Sequence, residues 1–139
     1  GDAAVTIAAK GGGGGARRAP RAPPAADSPE VLAASARLQE EQATLDTASK
    51  FEAMRAARRR LPAHKARAEL LQSLQTNRVV VIAGETGCGK STQVPQFVLE
   101  HECASGRGGA CHIVVTQPRR IAAIALAERV ASERDGGSA

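Results

Sequence analysis

Between Gly1 and Asp27 the chain has no aromatic side chain and almost nothing bulky. It reads "GGGGG" from Gly11 to Gly15 and "APRAPPAADSP" from Ala19 to Pro29. Such a stretch cannot bury enough apolar surface to offset the entropy of ordering it. Residues 1–27 are therefore expected to be a disordered Gly/Pro/Ala/Arg-rich tail. With 139 residues in all, the remainder makes one small domain at most. No apolar run approaches the ~20 residues of a membrane span, so no membrane partner is expected. Cysteine is scarce: Cys88, Cys103 and Cys111 make an odd count with no secretory leader. That points to a reducing compartment, cytoplasmic or nuclear. The acid-poor start, with Lys10, Arg17, Arg18 and Arg21, leaves an organelle open. Cys103 to His112 lacks the ligand spacing of a zinc site, so the thiols are read as free.

A net charge of +5 permits a polyanionic partner, nucleic acid above all. The Arg- and Ala-rich composition of a GC-rich genome produces the same number. Charge alone decides nothing.

Helix signals open at Asp27-Ser28-Pro29-Glu30, with a capping residue, proline in the first turn and a glutamate behind it. Val31 to about Arg60 is free of glycine and proline, and 28–62 is expected to be a helical extension. Val31, Leu38 and Leu45 recur at heptad spacing, but Glu52 ends the series, so docking is favoured over a coiled coil. "RAARRRLP" (Arg55 to Pro62) reads either as a phosphate contact or as a solvated helix end whose cations complement the dipole. A helix over 63–75 places Leu70, Leu71 and Leu74 on one face. "VVVIA" (Val79 to Ala83) then has the continuous β-branched character of a buried parallel strand. A helix from Lys90 to His101, with Pro95 in its second turn, a loop from Ala104 to Ala110, a second strand "HIVVT" (His112 to Thr116) and a helix from Ile121 to Arg134 follow. Strand, helix, strand, helix predicts an α/β fold with a parallel sheet flanked by helices.

Gly84-x-x-x-x-Gly89-Lys90-Ser91 lies between the first strand and its helix, where a phosphate-binding loop belongs. Gly84, Gly87 and Gly89 permit torsions and close approach that a Cβ blocks. The loop amides, with the helix start, form a nest for phosphate oxygens. Gly84, Glu85, Thr86, Gly87, Cys88, Gly89, Lys90, Ser91 and Thr92 are the expected triphosphate site. Lys90 would reach the β- and γ-phosphates as a point charge, and Ser91 Oγ would ligate Mg2+. Cys88 is read as a passive spacer.

Beyond this loop the chain continues "QVPQFVLE", and a later stretch reads "VVTQPRRIAAIALAERVASE" (Val114 to Glu133). Both resemble the DEAH/RHA family of helicases, whose first motif runs G-E-T-G-[SC]-G-K-[ST]-T-Q-x-P-Q and whose next contains T-Q-P-R-R-x-A-A. The resemblance covers about Arg58 to Arg134. It implies an ATP-dependent RNA helicase (DNA in some members, other triphosphates in some) with two RecA-like domains. Residues 63–139 would be the truncated start of the first, a partial RecA-like P-loop NTPase domain. It further implies that Arg129 stacks on the nucleotide base and that Thr116, Arg119 and Arg120 face nucleic-acid backbone. A flat guanidinium stacks on a base with little selectivity, and backbone contacts suit a motor that tracks any sequence. No D-E-x-H follows to hold Mg2+ and orient water. Beyond Lys90 the chain offers no catalytic group. Hydrolysis by this chain alone is not expected, and the missing remainder of the helicase core is its expected partner. Another P-loop NTPase, or a non-catalytic nucleic-acid-binding fragment, are the alternatives.

Overall fold

The computed structural model describes residues 5–10 and 28–135. Ser28 starts helix α1 (Pro29–Thr47): its hydroxyl accepts from the Val31 amide at 3.4 Å. The long helix expected from Val31 onward breaks at Ala48, whose backbone is extended. Thr44 and Thr47 turn their hydroxyls back onto the carbonyls of Glu40 and Ala43, a habit that weakens a helix end. Arg55 stabilises the break by donating to the Leu45 and Ala48 carbonyls at 2.8 and 2.9 Å. A 3-10 turn (Ser49–Phe51) buries Phe51, and α2 (Glu52–Arg59) follows it directly.

Two short helices follow, α3 (Pro62–Lys65) and α4 (Arg67–Thr76), then strand β2 (Val79–Gly84), helix α5 (Lys90–Ala104), a 3-10 turn (Gly108–Ala110) and α6 (Arg120–Arg134). α5 runs unbroken through Pro95, early enough that little of its hydrogen-bond ladder is lost. The core is small. Ala63, Leu70 and Phe97 are buried together, with Val80, Ile82 and Val94 against them. His64 meets the Phe97 ring edge-on at 5.7 Å between centroids. α1 docks on the 3-10 turn at Gly108–Ala110. The Gly109 amide donates to Ser35 Oγ at 3.0 Å, and a Cβ at Gly109 would sit 2.4 Å from the Val31 carbonyl oxygen. Only glycine fits there.

The sheet differs from the one expected. β2 pairs antiparallel with β1 (Val5–Lys10), in a register running from Val5 opposite Gly84 to Lys10 opposite Val79. A strand thus forms within the stretch expected to be disordered; the rest of that tail, 1–4 and 11–27, lies outside the described residues. His112–Thr116, expected as a second buried parallel strand, makes no ladder and is exposed, Val114 at 86 %. The parallel RecA-like sheet is therefore overturned: the described residues hold one two-stranded antiparallel sheet among helices. Two physical causes account for this. A nearby segment already satisfies one edge of β2 in the slightly more stable antiparallel geometry. The chain entering 112–116 is also pinned to α1 through Gly109. β2 itself is half-buried rather than buried on both faces. Val80 and Ile82 face the core while Val79 and Val81 face outward.

That asymmetry is measurable. Phe97→Ala is expected to lower unfolding free energy by about 3–5 kcal/mol, the usual cost of emptying an aromatic core site. Val81→Ala, at a side chain 60 % exposed, is expected to cost under about 1 kcal/mol. Urea denaturation distinguishes them, and equal losses would contradict this packing.

Burial, then the neighbouring Arg67, Arg58 and Arg59, hold the His64 imidazole below its ordinary pKa. The folded state thus binds fewer protons here than the unfolded chain. The stability contributed by neutral His64 is present above the unfolded pKa and lost as pH falls through about 6.5. His64→Leu is expected to flatten the stability profile as pH falls below about 6.5, the ordinary histidine value. An unchanged profile would remove His64 as the titrating group.

Candidate nucleotide-binding site

β2 ends at Gly84 and α5 begins at Lys90, so the loop between them hangs from one strand and one helix. Gly87 and Gly89 have φ of 85° and 95°, the left-handed region that glycine occupies without a steric cost. Gly89 is also tightly packed. A Cβ there would lie 3.1 Å from both Gln93 Cγ and Leu61 Cδ1. The Ala63 amide donates to the Cys88 carbonyl at 3.0 Å, which ties α3 to the back of the loop. Cys88 is buried on that side.

Lys90 folds over its own loop. Its Nζ donates to the Gly84 carbonyl at 2.6 Å, the Glu85 carbonyl at 2.8 Å and Cys88 Sγ at 3.3 Å. The ammonium therefore sits in the cup of the loop, held by acceptors that an anion can replace. Thr92 Oγ1 donates to the Gly89 carbonyl at 3.3 Å and closes the first turn of α5.

A cavity of about 460 Å3 opens over this loop. Thr86, Gly87, Gly89, Lys90, Ser91 and Thr92 line it from one side, Leu61 backs it, and Arg129 and Glu133 of α6 form the far wall. Most of the expected triphosphate residues thus share one space with Arg129. Gly84 and Glu85 take part through the carbonyls that hold Lys90; Cys88 does not line the cavity. Thr116, Arg119 and Arg120 lie elsewhere. All three are exposed, at or just before the start of α6. Arg120 and Arg129 are separated by roughly 14 Å along that helix, at the usual rise per residue.

Behind the cavity runs a network that sequence reasoning did not assemble. Glu133 has a side chain only 1 % exposed. Its Oε1 accepts from Arg129 Nε at 2.8 Å, and its Oε2 accepts from the side-chain amides of Gln93 and Gln96, each at 2.8 Å. Arg58 donates to Gln93 Oε1 at 2.8 Å and to Glu100 Oε1 at 2.6 Å, and Arg67 donates to Glu100 Oε2 at 3.1 Å. A carboxylate this deep costs several kcal/mol unless paired, and these donors match it. Arg58 is therefore an internal partner, while Arg67 pairs with Glu100 with its side chain still 37 % exposed; Arg59 and Arg60 remain exposed. The Arg129–Glu133 pair has the i, i+4 spacing of a helix-face ion pair, a signal visible in the sequence. Nothing in the sequence points to Arg58 as the partner of Gln93.

No helix among the described residues is long and apolar enough to cross a membrane. No family model matches the chain. Two DExH-box ATP-dependent RNA helicases of Arabidopsis thaliana are 49 % and 56 % identical to it, over 78 % and 55 % of its length. An ATP-dependent DNA/RNA helicase of Mus musculus is 53 % identical over 58 %. The chain spans only 11 %, 6 % and 8 % of those proteins. Over the matched residues, the chain is similar to DEAH- and DExH-box helicases.

Proposed function

We propose that this chain carries the nucleotide grip of an ATP-dependent RNA helicase of the DEAH/RHA type. The observation that carries the reading is the shared cavity of Lys90, Ser91, Thr92 and Arg129. The loop amides and the N-terminal end of α5 receive the phosphates. Lys90 exchanges its contacts with the Gly84 and Glu85 carbonyls for β- and γ-phosphate oxygens, staying in the same cup. Ser91, exposed at the mouth, offers a hydroxyl oxygen of the hard kind that suits Mg2+. Such an ion would be held by the Ser91 hydroxyl and would supply neutralising charge to the triphosphate. Arg129 lays its guanidinium plane along the base. Thr116, Arg119 and Arg120, remote from the cavity, meet the RNA backbone. Arg119 and Arg120 are cations where a helix dipole favours anions, which supports a phosphate partner. The carboxylates that orient the attacking water come from the remainder of the helicase core.

Lys90 bonds only to its own loop, so Lys90→Ala should leave the fold intact. It is expected to weaken ATP binding by about 10- to 100-fold, the worth of charge-assisted hydrogen bonds. In the full-length parent protein it should abolish RNA-stimulated ATP hydrolysis. Retained hydrolysis in that variant would discard the reading.

The RNA face has its own test. Replacing Arg119 and Arg120 together by alanine is expected to lower the slope of log affinity for RNA against log salt by about 2, one per phosphate contact. An unchanged slope would take both arginines off the RNA.

A further inference from the structure

We propose that Glu133 is a positioning residue that sets where Arg129 stands relative to the phosphate loop. The proposal rests on Arg129 being the base-side wall of the nucleotide site. Its basis is the division of labour between the two carboxylate oxygens. Oε2 holds α5 through Gln93 and Gln96, on the helix whose first residue is Lys90. Oε1 holds Arg129 through Nε. One rigid, buried side chain therefore joins the two walls of the cavity.

The contrast in exposure gives this tie its use. The Arg129 side chain is 57 % exposed, whereas that of Glu133 is 1 % exposed. An arginine so open to water samples many rotamers and loses that freedom when it stacks on a ligand. Anchoring Nε fixes the root of the guanidinium in advance. Its flat face and two terminal nitrogens stay available to the cavity. Arg58 stands 3.8 Å from Oε2, and its bond to Gln93 Oε1 holds that amide so that its NH2 faces Glu133. The order of donors thus runs from α2 through α5 to α6.

Glu133→Gln is the informative change because it preserves shape. An amide presents one acceptor oxygen and one NH2 with two donors. Its oxygen is expected to keep the two glutamine donors, which leaves its NH2 facing Arg129 Nε–H. Arg129 is then released while α5 stays held. ATP and inorganic tripolyphosphate, which has no base, are titrated against the chain and its variants by calorimetry. Glu133→Gln is expected to weaken ATP about 3- to 30-fold, the range of a lost cation–π contact, with tripolyphosphate affinity unchanged. Arg129→Ala is expected to do the same, and the double variant to lose no more than either alone. Equal weakening of ATP and tripolyphosphate by Glu133→Gln would make Glu133 a support of the loop and overturn the proposal. Additive losses in the double variant would also overturn it. If Arg129→Ala leaves ATP affinity intact, the base-side reading of Arg129 itself fails and the proposal goes with it. A wild-type measurement guards against a variant that does not fold: the Arg129 Nε–H should exchange with solvent more slowly than those of Arg119 and Arg120. Equal exchange at all three would overturn the tie.

Discussion

A carboxylate taken out of water must be met by donors, and Glu133 is met by three at 2.8 Å. This is the constraint on which the arrangement of the helices depends. Removing one partner from such a cluster leaves an unmatched polar group, which is more costly than the bond itself. The cluster is therefore satisfied only when α5 and α6 stand at one separation. α6 needs this, because its apolar residues do little for it here. Ile121 and Ile124 face solvent, and Glu133 is its one buried residue among those described. The helix is joined to the body near its C-terminal end by polar contacts. That junction is also where Arg129 shares a cavity with the loop between β2 and α5.

A second carboxylate, Glu100, repeats the device one turn of chemistry away. It receives Arg58 and Arg67, and so ties α2 and α4 to the same α5. α5 is thus the spine of the molecule. One face of it carries Phe97 into the core beside Gln93, Gln96 and Glu100, which take up the buried polar contacts, and its first turn closes the loop. Functional geometry and stability meet in one helix. Changes that loosen its packing should be felt at the site as well as in the melting curve.

How much of this was legible in the sequence differs by length scale. The loop between β2 and α5 depends on glycines and a lysine within a few residues, so its frame reads directly, and Gly87 and Gly89 have the left-handed torsions that glycine permits there. The helix signals at Ser28 and near Lys90 are local too, and both helices form. The placement of Arg129 came from the resemblance of "TQPRR" and its continuation to a helicase motif, not from periodicity. The parallel sheet failed because strand pairing is a non-local choice. "HIVVT" has the composition of a buried strand, yet composition does not say which edge is free or where Gly109 anchors the preceding turn. The role of Arg58 was hidden for the same reason, since its partners lie 35 and 42 residues away. A cluster of arginines in sequence looks like a surface until the acids that neutralise it are placed.

The central claim is that one cavity grips both ends of a nucleotide. A crystal structure of the chain with Mg2+ and a non-hydrolysable ATP analogue tests this most directly. The account predicts phosphates in the loop, Lys90 Nζ moved from the Gly84 and Glu85 carbonyls onto them, and the base against Arg129 with Glu133 still holding its Nε. A nucleotide bound elsewhere, or a base turned away from Arg129 with the phosphates in place, would contradict it.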